Sequence, residues 1–348
     1  MSSWGNGGNT EYKPDIFTLT DAITPWAVRA AATLKLADLI AAGTTRLEDL
    51  ASKAGADVDA LRRLMRYLTV RGVFTESEPG VFGLTEVGAV LKADHPAGRR
   101  PWWDVDGVAG RIEGAFIRLT DSIRTGDAAY PLVYGQSFYD DLAGNPERAT
   151  SFNALMATHA AYFDKVVGGY DWSGVKHVFD VGGGTGALLT EILKAHPHLR
   201  GTLVDLSTVV KQAEGRFADA GVSDRASVFG GSIFESLPTG GDVYVLSNVL
   251  HDWNDGPSVE ILKRCAEAAG ANGRVLVVQI LVAEEGNRPM SIQEKLFITQ
   301  MDLRLLALMG GRERTYDEFA ALGAQAGLKV KSSTKVESGQ TLLEFVKA

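Results

Sequence analysis

The second half of the chain carries a glycine-rich segment that suits ligand binding. DVGGGTG, at Asp180–Gly186, places an acid two residues before the first of three alternating glycines, directly after a predicted buried strand. Glycines let a backbone approach a ligand closely and adopt positive φ angles, and the Asp180 carboxylate suits a ligand that carries an ammonium group. The pattern predicts a small-molecule site, with a strand-to-helix turn that binds nothing as the alternative.

Two further side chains follow predicted strands in the same half. Asp205 ends the next strand, where an acid can accept hydrogen bonds from ribose hydroxyls of either NAD or S-adenosylmethionine. His251, in NVLHDWND, falls just past the carboxyl end of the fourth strand. A neutral imidazole with a pKa near ~6.5 is a competent general base, and open α/β sheets bind ligands at this end of their strands. The Asp180 acid and the lack of a second nucleotide-binding half favour S-adenosylmethionine over NAD.

The elements that must position these residues begin near Asp171. From there, short apolar segments alternate with helical segments, which predicts a mostly parallel, doubly wound α/β sheet. The last two segments can form an antiparallel hairpin over Glu337–Gln340. The predicted strands are KHVFDVG, GTLVDL, ASVFGGS, DVYVLSNVL, GRVLVVQILV, LKVKSSTKV and TLLEFVKA.

The first hundred residues predict small helices followed by a hairpin. AITPWAVRAAATLKLADLIAAG has apolar residues at helical spacing and predicts one helix that ends at Gly43. Thr45 and Glu48 form a capping box for a second helix, which Gly55 closes. A third helix precedes two short β-like runs around Glu-Pro-Gly. Three helices and a β wing make a winged-helix-like domain.

The charge of the chain argues against the DNA binding that winged helices often serve. The sequence has 35 basic and 43 acidic residues, a net charge of −8, whereas polyanion binding needs a basic face. We therefore expect no nucleic-acid or membrane partner, and we interpret the module as a homodimerisation domain whose apolar first helix packs against a second subunit.

The composition also indicates the cellular compartment and argues against a cysteine-based metal site. Cys265 is the only cysteine, which excludes an intramolecular disulfide and a cysteine-rich metal site, and we expect no metal. The amino terminus has no signal-peptide pattern, and no apolar run approaches the ~20 residues of a membrane span. These features predict a cytoplasmic protein.

Four motifs in order show a resemblance that covers nearly the whole chain. They are SFNALMATH at Ser151–His159, DVGGGTG at Asp180–Gly186, HDWND at His251–Asp255 and GGRERT at Gly310–Thr315. The chain resembles class I S-adenosylmethionine-dependent O-methyltransferases, the group of plant caffeic acid O-methyltransferase and of bacterial enzymes of aromatic and polyketide antibiotic biosynthesis. The resemblance implies a dimerisation domain at 1–105, a helical pocket segment at 106–170 and a Rossmann-like seven-stranded methyltransferase domain at 171–348.

The resemblance also implies a role for individual residues. Gly182 and its neighbours would hold the methionine moiety, Asp205 the ribose, and Trp253 would pack near the adenine. His251 would take the proton of the substrate hydroxyl while Glu313 orients its ring. The other implied cofactor-site residues are Asp180, Gly183, Gly184, Leu206, Ser232, Ile233, Ser247 and His159, and the implied substrate-site residues are Met156, Phe152, Asp252, Asp302, Met301 and Met309.

Two positions depart from the plant pattern. Gln279 stands where those enzymes have a second acid beside the base, and Ser232, in GGSIF, stands where an acid recognises the adenine amino group. Glutamine can hydrogen-bond but cannot stabilise a cation by charge, and Ser232 implies a weaker adenine contact. Apolar side chains of the helical segment and of the loop between His251 and Glu313 suit a flat, apolar substrate; they include Trp102, Trp103, Phe116, Phe138, Tyr139, Phe163 and Leu305.

Three other functions remain as alternatives at this point. C-methylation, or a non-methylating reaction, can use the same scaffold. A DNA-binding regulator with S-adenosylmethionine as its ligand would show a steep salt dependence of DNA affinity. An NAD-dependent oxidoreductase would bind NADH instead of S-adenosylmethionine.

Overall fold

A computed structural model describes residues 15–157, 162–282 and 290–348. These residues form two compact units. The first contains residues 15–114 and 145–157, and the second contains the remainder, including residues 115–144. The predicted pocket segment at 106–170 is thus divided between the units, and its bounds stay a prediction.

Helices make up most of the first unit and flank the sheet of the second. They are, in chain order, α1 Ile16–Leu19, α2 Ile23–Thr33, α3 Leu36–Ala41, α4 Leu47–Ala54, α5 Val58–Val70, α6 Glu86–Ala89, α7 Val108–Gly114, α8 Leu119–Thr125, α9 Tyr130–Tyr134, α10 Phe138–Ala143, α11 Pro146–Ala157, α12 Phe163–Gly168, α13 Ala187–Ala195, α14 Ser207–Val210, α15 Ala213–Asp219, α16 Asp255–Ala269, α17 Ile292–Met309 and α18 Tyr316–Gln325. In the described part of the chain, none of them is long and apolar enough to cross a membrane.

The first unit has the predicted order of helices and hairpin, with two local differences. The predicted first helix is broken, because Lys35 adopts a left-handed conformation with φ of 57° between α2 and α3. The predicted capping box at Thr45 and Glu48 is wrong: Arg46 is the N-cap, and no side chain caps the helix. The Thr45 carbonyl instead accepts the amide of Phe82 in the hairpin, so tertiary pairing replaces the local cap. The hairpin strands are β1 Phe74–Glu78 and β2 Val81–Leu84.

The second unit is built on a seven-stranded sheet, as predicted. Its strand order is β5-β4-β3-β6-β7-β9-β8, in which β9 runs antiparallel to both of its neighbours and the other pairs are parallel. Alternate residues of each central strand enter apolar cores on the two faces, so Val178 packs on one side and Phe179 on the other. The strands are β3 His177–Val181, β4 Arg200–Asp205, β5 Ala226–Gly230, β6 Val243–Ser247, β7 Arg274–Gln279, β8 Leu328–Lys335 and β9 Thr341–Lys347.

The order of the strands in the sheet determines where a ligand site can form. The chain moves outward from β3 through β4 to β5 and then returns to β6 on the other side of β3. This reversal is the topological switch point, where open α/β sheets bind ligands at the carboxyl ends of the strands. The glycine-rich loop follows β3 and His251 follows β6, so the two predicted centres of chemistry leave adjacent parallel strands at the same edge.

The predicted loop between His251 and Glu313 contains the long helix α17. Ser291 and Glu294 form a capping box at its start, and Gly310 ends it with φ of 72°. Both signals are visible in the sequence as S-x-x-E and G-G. Apolar residues are distributed around the whole helix and do not form one face, so the sequence shows no clear amphipathic period here.

Candidate active site

The glycine-rich loop joins β3 to α13 through three left-handed residues. Gly182, Gly184 and Gly186 have φ of 70°, 60° and 73°, angles that side chains disfavour. Gly183 is needed for a different reason: a Cβ there would lie 2.3 Å from Asp180 Oδ2. The loop therefore folds directly over the Asp180 carboxylate.

Asp180 is a fully buried acid at the end of β3. Neither of its oxygens has a hydrogen-bond partner among the residues that the structure describes. Burial, together with a smaller contribution from the nearby charge of Asp205, raises the pKa of Asp180 to about 7. An unpartnered buried carboxylate is costly, and a cationic donor from a ligand would offset that cost.

Asp205 links the loop to the end of β4. Its Oδ2 accepts the amide of Gly184 at 2.8 Å, and its Oδ1 accepts the amide of Leu206 at 2.7 Å. Burial raises the pKa of Asp205, while these two amides act in the opposite direction. Each oxygen retains a lone pair, so the carboxylate is held in place and can still accept bonds from a ligand.

Aromatic rings gather beside the turn that follows β6. Trp253 meets Phe234 edge-on, with ring centroids 4.9 Å apart, and stacks on Tyr139 at 6.1 Å. Ile233 packs on the core below them, and the Ser232 hydroxyl accepts the amide of Phe234 at 3.3 Å. Tyr139 was one of several candidate aromatics in the sequence, and the structure places it here.

His251 lies on a short 3-10 turn, Leu250–Asp252, after β6. Its Nδ1 is 3.1 Å from Glu313 Oε1 and 2.8 Å from Gln279 Nε2. A protonated Nδ1 donates to Glu313, and an unprotonated Nδ1 accepts from Gln279, so the contacts belong to different tautomers. The tautomer that Glu313 favours leaves Nε2 unprotonated, as a general base requires.

Charges around His251 tune its basicity. Burial lowers the pKa of the imidazole, but the carboxylates of Asp252 and Glu313 raise it by more, against a smaller opposing effect of Arg314, so the net pKa is above its ordinary value. The second ring nitrogen, Nε2, is 3.4 Å from Asp252 Oδ1. Asp252 Oδ2 in turn accepts the Tyr139 hydroxyl at 2.5 Å.

The GGRERT segment is hydrogen-bonded to the backbone of the turn that carries His251. The Arg312 amide donates to the His251 carbonyl at 2.9 Å, and a Cβ on Gly311 would lie 2.1 Å from that same oxygen. The side chain of Arg314 is fully buried and donates to the carbonyls of Leu250 and Trp253 at 2.9 and 2.7 Å. Sequence reasoning missed Arg314, although it is the neighbour of Glu313 in the motif.

The other predicted residues lie in several places. Asp302 Oδ1 accepts the Glu313 amide at 2.8 Å, which steadies the acid beside His251. Met301 and Met309 are half-buried on α17, and Ser247 is the last residue of β6. Phe152 and Met156 are half-buried on α11 in the first unit, and His159 is outside the described residues. Their predicted cofactor and substrate contacts stay predictions.

Sequence profiles of two domains match the chain. The O-methyltransferase dimerisation domain matches residues 18–94, and the O-methyltransferase domain matches residues 116–329. The chain belongs to the O-methyltransferase family. This membership confirms the predicted class, an S-adenosylmethionine-dependent O-methyltransferase, and favours it over the regulator and the NAD-dependent oxidoreductase.

Relatives of this O-methyltransferase cover nearly its whole length. The 2,7-dihydroxy-5-methyl-1-naphthoate 7-O-methyltransferase of Streptomyces carzinostaticus is 47% identical over 90% of this chain and 92% of its own. The aclacinomycin 10-hydroxylase RdmB of Streptomyces purpurascens is 42% identical over 94% of this chain and 86% of its own. A crystal structure of NcsB1, an O-methyltransferase from neocarzinostatin biosynthesis in complex with S-adenosylmethionine and 2-hydroxy-5-methyl naphthoic acid, matches with a TM-score of 0.90 over 97% of this chain and 99% of that chain, and the two sequences are 44% identical.

Proposed function

We propose that this enzyme methylates a hydroxyl of a flat aromatic secondary metabolite, with S-adenosylmethionine as methyl donor and His251 as general base. The observation that carries the proposal is the arrangement around His251. Its Nδ1 is 3.1 Å from Glu313, and its Nε2 lies 3.4 Å from Asp252 Oδ1. The turn that carries it follows β6, the strand that pairs with β3 before the glycine-rich loop.

The residues at the loop fit S-adenosylmethionine. Asp180 offers a buried carboxylate without a partner to an ammonium group, and Asp205 offers free lone pairs to ribose hydroxyls. Gly183 lets the loop lie directly over the Asp180 carboxylate, since a Cβ there would be 2.3 Å from Asp180 Oδ2. When bound, this cofactor supplies a methyl group on a positively charged sulfur, which needs no further activation. The chain's own contribution is therefore alignment, which lowers barriers by several kcal/mol, and removal of a proton.

The proton of the substrate hydroxyl moves to His251 Nε2. Glu313 holds the Nδ1 proton and stabilises the imidazolium that forms, because a carboxylate at 3.1 Å interacts favourably with the new positive charge. General-base assistance of this kind contributes roughly 10²–10⁴-fold to rate. The named substrates of the relatives support an aromatic acceptor of the naphthoate type.

The first unit supports a homodimer, since it matches a dimerisation domain and exposes apolar side chains that a second copy would cover. We propose no nucleic-acid, membrane or metal partner and a cytoplasmic location. The exposed apolar side chains of its first two helices are Ile16, Phe17, Leu19, Ile23 and Trp26.

Replacement of the base tests the proposal. In His251→Ala we expect turnover of a dihydroxynaphthoic acid to fall roughly 10²–10⁴-fold, with S-adenosylmethionine affinity by calorimetry nearly unchanged. His198→Ala is the matched control, because His198 lies before β4 at the opposite end of the sheet. Mass spectrometry and NMR of the product separate O- from C-methylation. Unchanged turnover in His251→Ala, or a methyl group on carbon, would overturn the proposal.

A further inference from the structure

Asp252 lies between His251 and Tyr139 but is bonded to only one of them. Its Oδ2 accepts the Tyr139 hydroxyl at 2.5 Å, whereas its Oδ1 stays 3.4 Å from His251 Nε2. Hydrogen bonds between a charged donor and a carboxylate are typically about 2.7–2.9 Å long. The carboxylate is thus engaged with the phenol and stops short of a full bond to the imidazole.

This spacing matters because Nε2 is the nitrogen left to receive a proton. In this tautomer the Nδ1 proton is donated to Glu313. A carboxylate bonded directly to Nε2 would hold a proton there, and the ring would no longer be a base for a substrate hydroxyl. The distance between Asp252 and Nε2 therefore affects whether His251 is free to react.

We propose that Tyr139 is a positioning residue whose hydroxyl holds Asp252 back from His251 Nε2 and so keeps this nitrogen free. The inference rests on the proposed role of His251 and adds a residue from α10, more than a hundred positions away in the chain. The Tyr139 ring is itself held by its stack on Trp253, with ring centroids 6.1 Å apart and planes 18° from parallel. The hydroxyl is therefore fixed in direction and does not merely follow Asp252.

The Tyr139 hydroxyl stays protonated and therefore remains a hydrogen-bond donor. Burial and the carboxylate of Asp252 hold the pKa of Tyr139 well above its ordinary value, with a smaller contribution from Asp205, so the hydroxyl keeps its proton wherever His251 titrates. Around His251 itself the charged groups are Asp252, Glu313 and Arg314. The positive end of the Tyr139 O–H dipole points toward Asp252, so its removal makes the potential at Nε2 more negative.

The test measures the His251 pKa directly. In Tyr139→Phe, which keeps the stacked ring, we expect this pKa to rise by about 0.5–1 unit, read from NMR titration of the histidine rings in the protein bound to S-adenosylhomocysteine. The resonance is assigned by its loss in His251→Asn. In an Asp252→Asn background the same substitution should produce no rise, because Tyr139 acts through that carboxylate.

A matched control separates this effect from a lost buried hydroxyl. Tyr244→Phe removes a hydroxyl near the amino end of β6, where it donates to the Pro238 carbonyl at 2.7 Å, and should leave the His251 pKa unchanged. The acidic limb of kcat/KM for a dihydroxynaphthoic acid, where activity appears as His251 loses its proton, should move to higher pH in Tyr139→Phe together with the NMR value. An unchanged or lower His251 pKa in Tyr139→Phe, or a rise that persists in Asp252→Asn, would overturn the inference.

The NMR titration needs no turnover, so its result is independent of the proposed function. If His251→Ala keeps full activity, the general-base assignment fails, yet the coupling between Tyr139 and the imidazole can still be measured. If His251→Ala loses activity while Tyr139→Phe titrates like the natural chain, the base is correct and the positioning role is wrong.

Discussion

Arg314 is a fully buried cation that fastens the His251 turn to the GGRERT segment. Its guanidinium donates to Asp255 at 2.8 and 3.1 Å and to the carbonyls of Leu250 and Trp253 at 2.9 and 2.7 Å. These carbonyls flank His251 in the chain. We predict that Arg314→Ala destabilises the second unit and lowers kcat, because it releases the backbone that carries the base.

The two hydrogen bonds to backbone carbonyls determine how much stability Arg314→Ala should lose. Asp255 is 59% exposed, so its ion pair with Arg314 contributes little, at most about 1 kcal/mol. A hydrogen bond to a charged group contributes about 1.5–3 kcal/mol, and two such bonds would give about 3–6 kcal/mol. The Ser258 hydroxyl also reaches both carbonyls, at 3.2 and 3.3 Å, and partly replaces the lost donor. We therefore expect a loss of about 3 kcal/mol, toward the lower end of this range.

The neighbouring Arg312 offers a matched control. It pairs with Glu318 and Asp255 like an ordinary surface residue, with its side chain 46% exposed against 0% for Arg314. Arg312→Ala should cost less than about 1 kcal/mol. Urea unfolding, followed by circular dichroism and tryptophan fluorescence, gives the stabilities, and kcat with a dihydroxynaphthoic acid gives the activity. Equal losses in the two variants, or a loss below about 1 kcal/mol in Arg314→Ala, would refute the reasoning.

Two further predictions concern the cofactor loop and the tautomer of the base. Burial raises the pKa of Asp180 to about 7, and only the anion attracts an ammonium group. The S-adenosylmethionine affinity measured by calorimetry should therefore fall about tenfold from about pH 8 to about pH 6. Asp180→Asn should bind weakly and without this pH dependence, and an equal dependence in the variant would contradict the assignment. In Gln279→Glu, a second acceptor replaces the competing amide 2.8 Å from His251 Nδ1, so the His251 pKa should rise and the acidic limb of kcat/KM should move to higher pH by about one unit. A downward move would contradict it.

Local patterns predicted the parts of the site that lie within one turn of a strand end. The glycine loop, Asp205 and the turn with His251 could all be located, because each follows a run of buried β residues. The seven strands and their closing antiparallel hairpin were predicted for the same reason. Strand alternation and turn chemistry depend on neighbours along the chain, so they are visible before folding.

Other features depend on packing and could not be predicted. The cap at Thr45 is lost where its carbonyl pairs with Phe82 of the hairpin, and this tertiary contact overrides the local preference. Nothing in the structure explains the break at Lys35. The prediction of a loop where α17 lies is wrong, although the capping box at Ser291 is visible in the sequence. Its apolar residues are distributed around the helix, so the usual amphipathic period was weak.

The sequence by itself determined the class of fold and the family, and it located His251, the base that we propose. Only the tertiary structure decided how that base is held. Tyr139 contacts Asp252 across 113 positions, and Arg314 reaches Asp255 across 59. Contacts at such separations depend on how the elements pack together, because no local period or turn rule connects residues so far apart. The contacts of Tyr139 and Arg314 around His251 therefore depend on the folded chain.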